Sequence, residues 1–224
     1  MADINPGKQK GQPRGADLST GLPSPIPSTT TRSGTRKNTG STERKKVALP
    51  PEVKKRLPSR VASAVESGCR VVPQNFAKQP IVKWSKYQHE PPTPDELYQW
   101  AKRRDVETWG LLCGQASGIC ILDFDQKHGG METFDRLGLR AMVSTPGGGR
   151  HVYVKAPLWR VKTLGQPGPD GYPGMELKAD GSLCTFYSRD PNHPYRPVAG
   201  RRIYRPQELE SGLAPLFEPY RKGC

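Results

Sequence analysis

Aromatic residues are missing from the first part of the chain: all 17 of them (four Trp, eight Tyr and five Phe) lie at or after Phe76. The whole sequence is poor in apolar residues, at 33% of 224 residues, and it carries 24 Gly and 24 Pro. A segment with so little to bury cannot offset the entropy that it loses on ordering. We therefore expect residues 1–48, which are mostly Gly, Pro, Ser, Thr, Lys and Arg, to be a disordered basic arm in front of one folded domain.

Other absences exclude several classes of protein. No apolar run approaches the roughly 18 residues that a membrane-spanning helix needs, so we expect no membrane partner. The polar N-terminus lacks the apolar stretch of a signal peptide, which favours a cytoplasmic location. The five cysteines are odd in number and scattered, which indicates reduced thiols rather than disulfides. Cys113 and Cys120 have no second pair of ligands at zinc-binding spacing, and no structural zinc is expected.

Acidic residues are outnumbered by basic ones. The sequence has 35 Lys and Arg against 21 Asp and Glu, a net charge of +14. This balance predicts a polyanionic partner, most commonly a nucleic acid. Charge alone leaves a basic surface with a solvated tail as the alternative. The arm likewise has two open roles, which are nonspecific contact with phosphates and a simple tether.

Short helices are predicted at four places along the chain. The clearest begins at Thr93, which has Pro94 at the next position and Glu96 three residues on, the pattern of a capping box. Residues 51–68 form a helical stretch that Pro58 interrupts. The other two predictions are residues 128–139, with an end at Gly138, and residues 207–220.

Strand-like segments alternate with these helices. A β-rich stretch covers residues 70–87, and two apolar runs at residues 109–114 and 118–125 flank a turn-rich link. Residues 141–154 predict two strands around Pro-Gly-Gly-Gly. Residues 173–188 predict two more, paired as a hairpin around Ala-Asp-Gly. This mixture of hairpins and short helices predicts the α+β class.

Two aspartates close the most apolar of these strands. Asp123 and Asp125 follow Ile119–Leu122, and residues two apart on a strand point to the same face. Two neighbouring carboxylates repel each other unless a cation lies between them. In proteins that cation is usually one of a pair of Mg²⁺ or Mn²⁺ ions. The alternative is a polar turn in which the aspartates cap the helix that begins near Gly130.

A glycine-rich turn precedes an Arg-His pair. Alternation places His151 and Tyr153 on one face of the strand and Val152 on the other. The turn before them, Ser144-Thr-Pro-Gly-Gly-Gly, would let a ligand approach the backbone closely, and Arg150 suits a phosphate. An ordinary hairpin with a buried histidine is the alternative.

Glu176 and Lys178 form a third polar pair. They share one face of a strand whose other face carries Met175 and Leu177. An acid and a base in these surroundings can complete a metal site and hold a phosphate. A surface ion pair on an edge strand is the alternative.

The order and spacing of these three features limit the set of functions that fit the sequence. Asp-x-Asp at a strand end is followed 26 residues later by the Arg-His pair, and 25 residues after that by Glu-x-Lys. Together with Lys78, Pro80 and Trp84 in the preceding β-rich stretch, this combination resembles the catalytic core of the archaeo-eukaryotic primase superfamily. The particular resemblance is to the bifunctional primase–polymerase (prim-pol) domains of plasmids, phages and prophages, and it runs from about Arg70 to Tyr195.

The resemblance implies a fold and a division of the chain. The expected catalytic domain, residues 69–205, is an RRM-like mixed sheet with flanking helices. A helical lead-in at residues 49–68 precedes it, and a C-terminal helix or tail at residues 206–224 follows it. The implied function is that of a DNA-dependent primase–polymerase, which makes or extends primers by two-metal nucleotidyl transfer with Mg²⁺ or Mn²⁺.

Site residues are also implied by the resemblance. Asp123, Asp125 and Glu176 correspond to the catalytic metal ligands. His151 would contact the phosphates of the incoming nucleotide, and Lys178 stands where relatives often carry an arginine. The full set of implied nucleotide-binding residues is Ser144, Gly148, Gly149, Arg150, His151 and Lys178.

The implied partners are a single-stranded DNA template and NTPs or dNTPs, during replication of a phage, plasmid or prophage. Since no GxxxxGK[ST] segment is present, unwinding would depend on a separate helicase. Trp84, Tyr87 and Trp159 either stack on bases or belong to the core. The basic residues expected to hold the template are Lys78, Lys83, Lys86, Lys102, Arg103, Arg104, Arg160 and Lys162.

Two other functions compete with this interpretation. Asp170 followed by Glu176 and Lys178 spells the PD-(D/E)xK string of metal-dependent nucleases, although only five residues separate the two acids. A non-catalytic single-stranded-DNA-binding replication module is the second alternative. All three acids and the histidine of the implied active site are present, which argues against a protein that has lost catalytic activity.

Overall fold

A computed structural model of the protein describes residues 47–166 and 168–219. The predicted disordered arm, residues 1–48, lies outside these ranges except for its last two residues. No helix in the described part of the chain is long and apolar enough to cross a membrane.

Four short α-helices are present in the described residues. They are α1 (Pro51–Arg56), α2 (Ser59–Glu66), α3 (Pro94–Lys102) and α4 (Gly130–Leu137). The predicted break at Pro58 is confirmed, because Pro58 has an extended backbone between α1 and α2. The predicted end of α4 is confirmed as well, with Gly138 in the left-handed region at φ 59°.

The strands form two sheets. They are β1 (Val71–Gln74), β2 (Thr108–Leu112), β3 (Ile119–Phe124), β4 (Val143–Ser144), β5 (Arg150–Lys155), β6 (Met175–Lys178), β7 (Leu183–Ser188), β8 (Arg196–Pro197) and β9 (Ile203–Tyr204). Sheet 1 has the order β1-β2-β7, and sheet 2 has the order β6-β3-β5-β4-β8. Strand β9 joins sheet 2 by pairing with β5, parallel to it. The α+β class predicted from the sequence is confirmed.

One predicted hairpin is confirmed and the other is wrong. Strands β4 and β5 pair antiparallel around the Pro-Gly-Gly-Gly turn, with Val143 opposite His151. Strands β6 and β7 do not pair with each other, because β6 pairs with β3 and β7 pairs with β2. The turn between them is a junction between the sheets: the Asp180 carboxylate accepts backbone hydrogen bonds from Gln115 and Val161. These contacts hold the turn between the two sheets, so β6 and β7 do not form a hairpin.

Two hydrophobic clusters cover the two faces of sheet 2. The first cluster joins α1, α2 and α3 to sheet 1 and to one face of sheet 2. The second cluster lies on the other face of sheet 2, with α4 and the C-terminal segment. Strand β3 contributes Ile119 and Ile121 to the first cluster, and Cys120, Leu122 and Phe124 to the second. This strand is therefore buried on both faces.

Two predicted elements differ in the structure. The β-rich stretch at residues 70–87 is a strand only over Val71–Gln74, and it ends in a turn and a 3₁₀ helix at Ser85–Gln88. The closing helix predicted at residues 207–220 is wrong for the part that the structure describes. Two 3₁₀ helices, Pro206–Glu208 and Ala214–Phe217, stand there instead. Prolines at positions 206, 215 and 219 lack the backbone donor that a continuous helix would need.

Helix α3 has the capping box predicted from the sequence. The Glu96 backbone N–H donates to Thr93 Oγ1, and the Thr93 backbone N–H donates to the Glu96 carboxylate at 2.8 Å. Lys86 and Tyr87 also donate to this carboxylate. Burial works to raise the pKa of Glu96, but these hydrogen bonds outweigh it and lower the pKa to about 2 from an ordinary 4.5.

We predict that Glu96→Gln lowers the free energy of unfolding by about 1–2 kcal/mol at neutral pH. Because the folded-state pKa is depressed, the stabilisation by Glu96 is present above pH 4.5 and is lost as the pH falls toward 2. Urea unfolding at several pH values measures both effects. Glu90→Gln, an exposed change on the preceding loop, is the control. A difference between wild type and Glu96→Gln that stays constant down to about pH 2 would contradict the prediction.

Candidate active site

A row of polar side chains crosses three strands of sheet 2. Strand β3 lies between β5 and β6, and Asp123 is opposite His151 on one side and opposite Glu176 on the other. Side chains of directly opposed residues point to the same face of a sheet. This face is the one that carries Ile121 and turns toward the first cluster. Lys178, opposite Ile121, lies on the same face two positions along from Glu176.

Asp123 and His151 form the centre of the row. Their Oδ1 and Nε2 atoms are 3.3 Å apart, and the two side chains are 27% and 3% exposed. Burial works to raise the pKa of Asp123, but the hydrogen bond and charge of His151, together with Lys178 and Lys78, lower it. Burial would lower the pKa of His151, and its partners Asp123 and Cys184 instead raise it. Each of the two groups thus favours the charged form of the other.

Cys184 reaches this pair from the other sheet. It belongs to β7, and its Sγ atom lies 3.7 Å from both ring nitrogens of His151. Burial raises the pKa of this thiol to about 11. The ligand atoms of Asp123, His151 and Cys184 all lie within 4.8 Å of one another, an arrangement that could hold a metal ion. Sequence reasoning missed Cys184, because a single cysteine in a strand carries no motif.

Glu176 and Lys178 contact each other directly beside Asp123. Their side chains form an ion pair and are about one fifth to one quarter exposed, at 19% and 24%. Burial works to lower the pKa of Lys178, but the hydrogen bond and charge of Glu176 raise it. The site thus has an ammonium group next to two carboxylates.

Asp125 has different surroundings from Asp123. It follows the last residue of β3 and caps a 3₁₀ helix, Gln126–His128, by accepting a hydrogen bond from the Lys127 backbone. Its carboxylate also lies 3.1 Å from His128 Nδ1. The capping role that the sequence left open thus applies to Asp125 in this conformation, at a 3₁₀ helix rather than at α4. Among the described residues, neither Asp125 nor Glu176 belongs to the group of metal-ligand atoms around Asp123.

The glycine-rich turn packs against the end of β3. A Cβ atom on Gly149 would clash with the Phe124 carbonyl oxygen, and one on Gly148 would clash with the Gln126 side chain. Gly147 faces open space. Arg150 donates to the carbonyls of Gly148 and Gly149 at 2.9 Å. Ser144 is opposite Arg150 in the β4–β5 pair.

Lys78 and Tyr195 lie at the edge of the site. Among the described residues, Lys78 is the one non-glycine residue with a positive φ. Its φ of 62° is a strained backbone conformation. The buried Gln74 holds this turn by donating to the Lys78 carbonyl at 2.7 Å. The Lys78 amino group lies 5.6 Å from the centre of the Tyr195 ring, which in turn lies 5.9 Å from the His151 ring. Sequence reasoning placed Lys78 among the template contacts and missed Gln74 and Tyr195.

The aromatic residues and Asp170 that the sequence singled out lie at separate places in the structure. Tyr87 is buried and Trp84 packs on the first cluster, while Trp159 is 42% exposed and donates from its ring to the Phe217 carbonyl. Asp170, the acid that a nuclease would need, is exposed in a turn outside both sheets.

An acid row beside cations, on a sheet face between two layers, is the type of site used for metal-dependent chemistry on phosphates. The family model for the bifunctional DNA primase/polymerase, N-terminal domain matches residues 61–211, more than half of the chain. The chain belongs to this family. A search of curated proteins finds no match to it.

We predict that Gly149→Ala lowers the free energy of unfolding by about 1–3 kcal/mol, because the new methyl group forces the turn away from the β3 backbone. Gly147→Ala is the matched control, since nothing lies near its Cβ position. Thermal unfolding of both variants measures the difference. Equal melting temperatures for the two variants would show that the turn does not pack on β3 as described.

Proposed function

We propose that this protein is a DNA-dependent primase–polymerase that joins NTPs or dNTPs on a single-stranded DNA template. The observation that carries the proposal is the row Glu176–Asp123–His151 with Lys178 beside it. Nucleotidyl transfer needs carboxylates to hold divalent metal ions and cations to hold the triphosphate. Family membership supports this chemistry in general terms.

The acids of the row fit a divalent metal such as Mg²⁺ or Mn²⁺. The Cβ atoms of directly opposed residues on antiparallel strands lie about 4.5–5.5 Å apart, so Asp123 and Glu176 can reach one cation. Both ions prefer carboxylate oxygens. Asp125 would become a further ligand by turning away from His128, and its side chain is 44% exposed, which leaves room for that rotation. When bound, the metal ions would activate the attacking 3′-hydroxyl and neutralise charge on the phosphates.

The basic residues of the site would bind the triphosphate. His151 lies next to Asp123, which raises the pKa of His151 and favours its charged form, and its buried ring is held in place by strand β5. Lys178 pairs with Glu176, and its ammonium group would be free to pair with a phosphate if that carboxylate held a metal ion. Arg150, Ser144, Gly148 and Gly149 lie together at the β4–β5 turn and would line the nucleotide pocket.

The template would run past the edge of this pocket. Lys78, at the strained turn beside Tyr195, is the basic residue that best fits a contact at the edge of the site. The net charge of +14 would add nonspecific attraction to the DNA backbone. We place the activity in the replication of a phage, plasmid or prophage, alongside a separate helicase.

We predict that Asp123→Asn and Glu176→Gln each reduce nucleotide incorporation on circular single-stranded DNA by at least about 100-fold, because each removes a metal-binding charge. The assay uses labelled NTPs or dNTPs with Mg²⁺ or Mn²⁺, both without a primer and with an annealed one. Asp170→Asn is the matched control, an acid of the same type in an exposed turn, and it should retain wild-type incorporation.

The same assay separates the other functions. Template degradation that depends on Asp170 would make the protein a nuclease and contradict the proposal. Binding of the template without incorporation, even on an annealed primer, would favour the non-catalytic binding module.

A further inference from the structure

Cys184 lies at the centre of the candidate site, and the proposed function gives it no role. It stands in β7, where it is opposite Leu111 of β2, and it is 3% exposed. Its position is therefore set by sheet 1, while Asp123 and His151 belong to sheet 2. Three different ligand types, a thiol, an imidazole and a carboxylate, meet between the two sheets.

The separations of His151 Nε2 from the other two ligand atoms are close to those around a tetrahedral metal ion. Zinc bonds of about 2.3 Å to sulfur and about 2.0–2.1 Å to nitrogen or oxygen place neighbouring ligand atoms roughly 3.3–3.6 Å apart. The His151 Nε2 atom lies 3.3 Å from Asp123 Oδ1 and 3.7 Å from Cys184 Sγ. The Asp123 and Cys184 ligand atoms lie within 4.8 Å of each other, so rotations of the three side chains would bring all of the ligand atoms to bonding distance.

The donor set also selects the ion. Sulfur and imidazole ligands favour Zn²⁺, whereas Mg²⁺ and Mn²⁺ prefer oxygen. Asp123 is 27% exposed, which gives an ion a route to the buried nitrogen and sulfur. A fourth ligand position would remain open to water. Binding would release the thiol proton of Cys184 and one proton of His151 to the solvent.

We propose that Asp123, His151 and Cys184 bind Zn²⁺ as an inhibitory ion. The ion would occupy the Asp123 carboxylate and the His151 ring, and both would then be lost to the catalytic metal and to the nucleotide. Zinc binding stands on this geometry alone, whereas the inhibition rests on the proposed function.

Cobalt substitution tests the binding independently of activity. Co²⁺ added to the full-length protein at equal concentration should give a thiolate-to-cobalt charge-transfer band together with intense tetrahedral visible bands, and Zn²⁺ should abolish them. Cys184→Ser should lose the charge-transfer band, and its affinity for Zn²⁺ should fall by more than the roughly 10–100-fold typical of an outer-shell contact. Cys120→Ser, a buried cysteine on the opposite face of β3, should keep the band.

Two outcomes would overturn the proposal. The first is the absence of a charge-transfer band in the wild-type protein. This outcome does not depend on whether any variant folds. The second is a band that persists in folded Cys184→Ser, with folding checked by circular dichroism. The inhibition is measured as the ratio of nucleotide incorporation with and without Zn²⁺, and this ratio should be lower for wild type than for Cys184→Ser. A cobalt band in a protein without any incorporation would support the zinc site and contradict the proposed function.

Discussion

A carboxylate on a strand that is buried on both faces is the electrostatic constraint on which the candidate site depends. Removing a charge from water costs several kcal/mol unless opposite charges and hydrogen bonds replace the solvent. Asp123 meets this requirement through His151 on one neighbouring strand and Lys178 on the other. The register of β5 and β6 against β3 is therefore tied to charge as well as to packing, and the residues that compensate Asp123 are the ones that could bind a nucleotide.

The junction between the two sheets is the second constraint on the site. The Asp180 carboxylate binds the backbones of Gln115 and Val161, and Gly114 lies so close to Asp180 that a side chain would not fit. This junction sends the chain from β6 in sheet 2 to β7 in sheet 1. It thereby brings Cys184 over His151, and it encloses the polar row between two layers.

Local patterns predicted much of this structure. The capping box at Thr93, the break at Pro58 and the β4–β5 hairpin depend on residues close in sequence, and the structure has all three. Alternation along β5 also predicted correctly that Tyr153 and Val152 lie on opposite faces of the strand, and the structure places them in different hydrophobic clusters. The separation of β6 from β7 could not be predicted, because a turn sequence does not reveal which partner strand lies nearby. The same holds for Cys184 and Tyr195, whose place beside His151 depends on contacts between distant segments.

We propose that Asp123 and Glu176 hold one divalent cation between β3 and β6. Electron paramagnetic resonance of Mn²⁺ in the presence of a nucleotide tests this most directly, because bound and free Mn²⁺ give different signals. We predict that wild type and Asp170→Asn bind Mn²⁺, and that Asp123→Asn and Glu176→Gln each bind it at least about 10-fold more weakly. Unchanged Mn²⁺ binding by folded Glu176→Gln would contradict the claim.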